Sequence, residues 1–382
     1  MRKKRLIAPL LLCVFLCGCS PDRQIEVQMP AVILGVDETE EGLISLCVKV
    51  PLLGGTAAGG AQQKGESTEG GGDKSYALAQ ASGEGWGGAL TALHAAVPRD
   101  LNFSQLREIV FGERIAQSEQ FTRYYQQVCS LPSVRSDSYV VICKGDASDF
   151  IKNQNARVGS LLSKYIDKSF TRYERMAYVP STTLGEGQHQ FLGSGSDPVF
   201  IYGALGSGED GKTARYPDVT QAVAGELDQK GVSETELFGA AMTDGKSVTG
   251  LLTGGESATW RLVKGTLSEG MSLKADDTYL FVKSLRAAKL RVDGQTLEMD
   301  VYAQINYYVG QRFDKGAASR TLKELLEALV KKLQHYGCDA FGFSAVAKSG
   351  YLTYGEWAAA NFKDVYRTAD IKVNLYTLFT AQ

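Results

Sequence analysis

The chain has 382 residues, 44% of them hydrophobic and 22% charged, with a formal net charge of −2. That length supports two or three domains with cores of their own. So even a balance leaves no electrostatic footprint for nucleic acid, which excludes it as a partner class.

The chain opens Met1-Arg2-Lys3-Lys4-Arg5 and then runs apolar from Leu6 to Gly18. A basic stretch ahead of a short hydrophobic one is the layout of a secretory signal. The run is 13 residues long, short of the ~20 that a membrane-spanning helix needs. Leu16-Cys17-Gly18-Cys19 is similar to the lipobox of bacterial lipoproteins. The expectation is cleavage between Gly18 and Cys19 and a diacylglyceryl group on the Cys19 thiol, with no other cofactor and no metal. Losing residues 1–18 removes four basic residues and leaves 37 Lys and Arg against 43 Asp and Glu. The body is then acidic and offers anionic lipid no polybasic patch. No later apolar run approaches spanning length, so a soluble body outside the cell membrane is expected. Beyond the lipobox only Cys47, Cys129, Cys143 and Cys338 remain, widely spaced and without a neighbouring histidine at ligand spacing. Buried free thiols and one or two disulfides both stay open.

Ala31–Val36 and Leu43–Val50 are β-rich runs around the polar stretch Asp37–Gly42, a hairpin signal. Residues 53–73 hold nothing apolar larger than alanine after Leu53, so a flexible Gly-rich excursion is expected there. A helix over Gly87–Val97 would turn Leu90, Leu93, Ala96 and Val97 to one face before Pro98 stops it. Leu106–Phe111 reads as a strand, Gly112–Leu131 as a helix and Tyr139–Cys143 as a strand. Helical patterns follow at Ala147–Phe150 and Val158–Tyr165. In the glycine-rich middle, Leu237–Met242 and Val248–Leu252 flank Thr243-Asp244-Gly245-Lys246, another hairpin.

Further on, Lys289–Val292 and Thr296–Val309 flank Asp293-Gly294, a strong hairpin signal. Thr321-Leu322-Lys323-Glu324 reads as a capping box opening a helix. Leu322, Leu325, Leu326, Leu329, Val330 and Leu333 would form its apolar face, and Gly337 its C-terminal stop. A helix over Tyr354–Phe362 would bury Trp357, and Ile371–Phe379 alternates as a closing strand. The fold class expected is α+β or mixed α/β, multidomain, with mixed and antiparallel sheets packed against helices. The organisation expected is a signal peptide at 1–18, an N-terminal α/β domain at 19–185, a small Gly-rich middle domain at 186–268 and a C-terminal α+β domain at 269–382.

Several motifs invite chemistry. Gly206–Thr213, GSGEDGKT, satisfies the phosphate-loop pattern, and a strand at Val199–Tyr202 precedes it. A helix should follow, yet Tyr216-Pro217 comes within four residues, and proline disfavours α geometry in the residue before it. Glu209 and Asp210 also place negative charge where phosphate would sit, so the segment reads as a polar loop. His94, His189 and His335 are the only imidazoles, and Ser194 lacks the G-x-S-x-G elbow. His335 ends the Leu-rich helix, where a cation suits the dipole. Asp276-Asp277 sits in a polar turn, and Lys323/Glu327 and Glu327/Lys331 have the spacing of helix-surface ion pairs. No catalytic constellation emerges, and the chain is expected not to be an enzyme.

Four groups of residues carry a wider likeness. The first is Cys19-Ser20-Pro21-Asp22-Arg23 followed by Ala31–Asp37, a strand ending Gly-x-Asp. The second is Leu106–Ala116, with Val140–Ala147 shortly behind it. Phe238–Met242 through Gly250-Leu251-Leu252 is the third, and Leu333–Phe343, with Trp357 and the last strand after it, is the fourth. In this order they resemble the C-subunit lipoproteins of GerA-type spore germination receptors, the Ger(x)C family. The chain departs from that family in lacking a tryptophan just after the lipid cysteine, in the insertion at 53–73, and in the glycine-rich stretch at 185–235.

The resemblance implies a non-enzymatic subunit on the outer face of the spore's inner membrane, serving assembly or signalling. Its implied partners are the A-type and B-type polytopic subunits that sense nutrients and pass ions. Two other readings stand beside it. The solute-binding lipoprotein of an importer would want two similar lobes closing by a hinge, and no internal repeat is visible. An envelope hydrolase would want a triad, metal set or carboxylate constellation.

Overall fold

The computed structural model describes residues 27–51, 76–155, 162–193, 195–206, 219–227, 234–275, 277–294 and 296–382. The leader with Gly18 and Cys19, the 53–73 excursion, Ser194, Asp276 and residues 207–213 of the phosphate-loop pattern lie outside them, as do residues 158–161 of one expected helix. The strands among the described residues are β1 (Gln28–Pro30), β2 (Ile33–Glu38), β3 (Ile44–Pro51), β4 (Tyr76–Gly83), β5 (Asp100–Asn102), β6 (Glu108–Phe111), β7 (Tyr139–Cys143), β8 (Val199–Leu205), β9 (Thr235–Thr243), β10 (Val248–Leu252), β11 (Met271–Ala275), β12 (Thr278–Asp293), β13 (Thr296–Tyr307) and β14 (Ile371–Ala381). The helices are α1 (Gly85–Ala96), α2 (Glu113–Gln117), α3 (Phe121–Cys129), α4 (Ala147–Asn153), α5 (Leu162–Arg175), α6 (Leu184–Phe191), α7 (Gly254–Lys264), α8 (Lys315–His335), α9 (Phe343–Lys348), α10 (Tyr354–Ala359) and α11 (Phe362–Thr368).

Eight strands form the main sheet in the order β10-β9-β8-β7-β6-β2-β3-β4. Its centre, β2, β6, β7 and β8, is parallel, and antiparallel pairs extend it on both sides. The sequence dictates this layering. Strands buried on both faces read as continuous apolar runs; β7 and, after the buried Glu108, β6 are such runs, with only Tyr139 incompletely buried. One face packs on α4 and α5 through Phe150, Ile151, Ile166 and Phe170. The other packs on α1, α2, α3 and α6 through Leu93, Ile115, Phe121 and Leu184.

A second sheet, in the order β11-β12-β13-β14, is an antiparallel meander closed by β14, which lies parallel to β13. Helix α8 covers it with Ala318, Leu322, Leu326, Leu329, Val330 and Leu333. The fold is thus α+β with mixed and antiparallel sheets. Residues 186–268 build no sheet of their own among the described residues. The buried run Val199–Tyr202 places β8 beside β7, and β9 and β10 follow it into the same sheet.

Other expectations need correcting. The helix over Gly112–Leu131 is two helices, because Ser118 is extended with its hydroxyl on the Ile115 carbonyl at 2.8 Å. The restart turns Phe121 edge-on to Phe111 at 5.2 Å, inside an aromatic cluster with Tyr125, Phe191 and Phe200. Helix α8 begins at Lys315, not at Thr321, because Asp314 caps it by accepting from the Gly316 N–H at 2.7 Å. Leu325 lies off its buried face, 38% exposed. The helix over Tyr354–Phe362 breaks at Asn361, whose φ is +41°. Trp357 is therefore half-buried, stacked on Phe362, which goes into the core instead. Ala96 is exposed on α1, where Ala89 and Leu93 are the buried residues. Gly337 does end α8, at φ +67°, and the Cys338 N–H reaches back to the Leu333 carbonyl at 2.9 Å.

Candidate functional site

Open α/β sheets take ligands outside the carboxyl ends of their parallel strands. In this chain the β2–β6 end of that edge is filled from within. Asp37, the second-last residue of β2, accepts from the N–H groups of Ala147 at 2.7 Å and Ser148 at 3.0 Å, and so caps α4 across the sheet. Burial pushes its carboxyl up to about 6, against the two amides that favour the charged form. Gly112, just past β6, is required to be small, because a Cβ there would collide with the Asp37 carboxylate. Gly145, at φ +72°, turns the chain between β7 and α4, and its carbonyl accepts the Glu113 N–H at 2.8 Å.

A second polar centre joins the two sheets. Asp339 accepts from the N–H groups of Gly342 and Phe343, both at 3.0 Å, and of Ser344 at 2.6 Å, which caps α9. Its own N–H donates to Asp197 at 2.8 Å, and the Asp197 N–H returns a bond to the Asp339 carbonyl at 3.0 Å. Lys363 of α11 reaches Asp197 at 3.2 Å and also donates to the Asp244 carbonyl in the β9–β10 turn. Burial raises both carboxyls above the usual range, with Lys363 opposing it at Asp197 and the α9 amides opposing it at Asp339. Beside this cluster lies a cavity of about 310 Å³ bordered by Gln190, Lys348 and Trp357. Both carboxylates already serve backbone amides, so the arrangement is built to hold two parts of the chain together.

Residues 22–204 match the model of the spore germination protein N-terminal domain, and residues 238–378 that of the spore germination B3/GerAC-like C-terminal domain. The chain belongs to the Ger(x)C family of spore germination receptor C subunits. The crystal structure of the GerBC protein aligns over 91% of this chain and 96% of its own, at 15% identity and a TM-score of 0.50, a likeness of fold. No curated protein matches in sequence.

Within this Ger(x)C chain several of the family-like stretches meet at the two polar centres. Gly35-Val36-Asp37, Phe111-Gly112-Glu113 and Gly145-Asp146-Ala147 meet at the first, and Cys338–Phe343 makes the second. Asp197 and Lys363 of the second centre are invisible to sequence reasoning. They lie in a Gly/Ser-rich loop and on a short helix, 166 residues apart, and no periodicity links them. Asp339 did leave a signal, an acid three residues before a glycine that opens a helix.

The sequence-flagged residues do not converge. His94, His189 and His335 are exposed on α1, α6 and α8. Lys323 and Glu327 form their surface pair at 3.6 Å. Cys47, Cys143 and Cys338 are buried and Cys129 half-buried, all free thiols. Among the described residues no group of three or more His, Cys, Asp and Glu could hold a metal ion, and no helix is long and apolar enough to cross a membrane.

Proposed function

We propose that this chain is the lipid-anchored, non-enzymatic C subunit of a spore germination receptor, serving assembly or signalling beside an A-type and a B-type polytopic subunit. The observation that carries the reading is continuity. The family match starts at residue 22, directly behind the lipobox-like Leu16-Cys17-Gly18-Cys19. In this reading cleavage falls between Gly18 and Cys19, and lipid on the Cys19 thiol holds the acidic body at the outer face of the spore's inner membrane. A two-chain anchor holds firmly, since each buried methylene contributes about 0.8 kcal/mol. An importer's binding protein would want two similar lobes, whereas the sheets here differ in strand number and order.

The test is affinity purification of a tagged copy from spore membranes, wild type beside Cys19→Ala. Wild type should carry lipid label and bring down two polytopic proteins. Cys19→Ala should lose the label and be released or left unprocessed. Normal labelling of the variant would remove the anchor, and recovery of importer permease and ATPase components would remove the receptor assignment.

A further inference from the structure

The second sheet ends on β14, and among the described residues no strand pairs with its far side. A strand edge presents a row of unpaired N–H and C=O groups, which proteins blunt with shortness, charge, proline or a bulge. The opposite edge of this sheet is blunted so, since β11 has five residues and exposes Lys274. β14 has eleven residues, no proline and one charge, Lys372. Its register with β13 runs unbroken from Ile371 against Leu297 to Ala381 against Tyr307.

Two large apolar side chains stand along that edge, Tyr376 at 50% and Leu378 at 52% exposed. Tyr376 is held in place by stacking on Tyr302 at 5.1 Å, with Arg286 lying 3.7 Å from the Tyr302 ring centre. On the opposite face of the strand Leu375 and Phe379 pack against the core and stay partly exposed.

The order of these residues is self-complementary. Laid antiparallel against a copy of itself with Thr377 opposite Thr377, β14 sets Tyr376 against Leu378 and Leu375 against Phe379. It also sets Asn374 against Thr380 and Val373 against Ala381. Apolar then meets apolar and polar meets polar on both faces, and each contact occurs twice, as a two-fold interface requires. Centring on Tyr376 instead would set Asn374 against Leu378 and Leu375 against Thr377. With Thr377 at the centre the two Lys372 residues lie roughly 30 Å apart, the span of about ten strand residues. No like charges therefore meet along the strand.

We propose that β14 pairs antiparallel with β14 of a second copy of this chain, about a two-fold axis at Thr377, joining the second sheets of the two copies into one. The pairing needs neither the lipid anchor nor the polytopic subunits, so it stands or falls apart from the receptor assignment.

The experiment is sedimentation velocity of the full lipidated chain in density-matched detergent, over a series of concentrations. Wild type should pass from monomer to dimer. Tyr376→Lys combined with Leu378→Lys puts lysine opposite lysine twice, and should raise the dimer dissociation constant about tenfold or more. Tyr376→Lys combined with Leu378→Glu puts lysine opposite glutamate twice, and should restore the dimer. Both variants lose the same two side chains, so a folding defect would show in both. Under mild oxidation Thr377→Cys should cross-link to its copy, because opposed residues lie ~5 Å apart, within disulfide reach. Lys372→Cys should not. A wild type that stays monomeric overturns the proposal and leaves the edge to a strand of a different protein. A Lys/Lys variant that dimerises like wild type overturns it, and so does a Lys/Glu variant as weak as Lys/Lys. Cross-linking through Lys372→Cys but not Thr377→Cys would overturn the register.

Discussion

Glu108, the first residue of β6, carries a carboxyl with no exposed surface at all. Gln154 donates to it at 2.7 Å, while the Lys49 ammonium nearby donates to the Ile151 carbonyl at 3.0 Å and the Gln154 carbonyl at 2.5 Å. Burial raises the Glu108 carboxyl from 4.5 to about 7, against the Gln154 bond and the Lys49 charge that hold it down. The folded state therefore binds this proton more tightly than the unfolded chain. The stability it contributes is full below pH 4.5 and is lost as pH rises through about 7. The loss amounts to about 3 kcal/mol. Asp37 works in the same direction between its ordinary 3.8 and about 6. Urea unfolding of the wild type and Glu108→Gln at several pH values checks this. The stability of wild type relative to variant should fall by about 3 kcal/mol from pH 4 to pH 8, and a flat difference would show that folding leaves the Glu108 titration unshifted.

At the scale of elements, helix starts separate what the sequence reveals from what it hides. Three helices open with a capping box, at Thr183/Glu186, Thr253/Glu256 and Thr353/Glu356. All three read Thr-x-Gly-Glu, and the rejected candidate reads Thr321-Leu322-Lys323-Glu324. Glycine in the first turn is a poor helix former, but position is what decides: Ala317-Ala318-Ser319-Arg320 lets α8 run upstream to Asp314. Thr253 accepts the Glu256 N–H at 3.3 Å, while the Glu256 carboxylate accepts the Thr253 N–H at 2.8 Å and Lys332 of α8 at 2.6 Å. Thr253→Ala should cost about 1 kcal/mol. Thr321→Ala, inside a helix, should be neutral or stabilise by a few tenths, on the order of the propensity difference. Shifts of the urea midpoint at constant slope measure both, and equal losses would restore Thr321 as a cap. The strands were legible for the opposite reason. Buried apolar runs and Asp-Gly turns are local signals, and the Asp293-Gly294 hairpin stands where they place it.

For the whole molecule, the question is whether the two larger sheets are separate folding units. Strand β8 was legible because its apolar run is short and contiguous. The Asp197–Lys363 contact was not, since it exists only once the sheets have met. The main core cluster crosses that meeting: Val199, Ala240, Met242 and Leu252 of the first sheet pack with Trp260, Leu280, Met299 and Leu329. The C-terminal family model likewise starts at residue 238, inside β9 of the first sheet. An apolar face shared in this way cannot be exposed by one half without cost to the other. The intact chain should therefore unfold in one calorimetric transition, and a chain cut after residue 268 should lose cooperativity and bind a hydrophobic dye. Lys363→Met should lower the midpoint of that single transition without splitting it, because it leaves the buried Asp197 carboxylate without its cation while the shared core stays intact. Two resolved transitions in the wild type would mean that the halves fold alone and that the Asp197–Lys363 bond only tethers them.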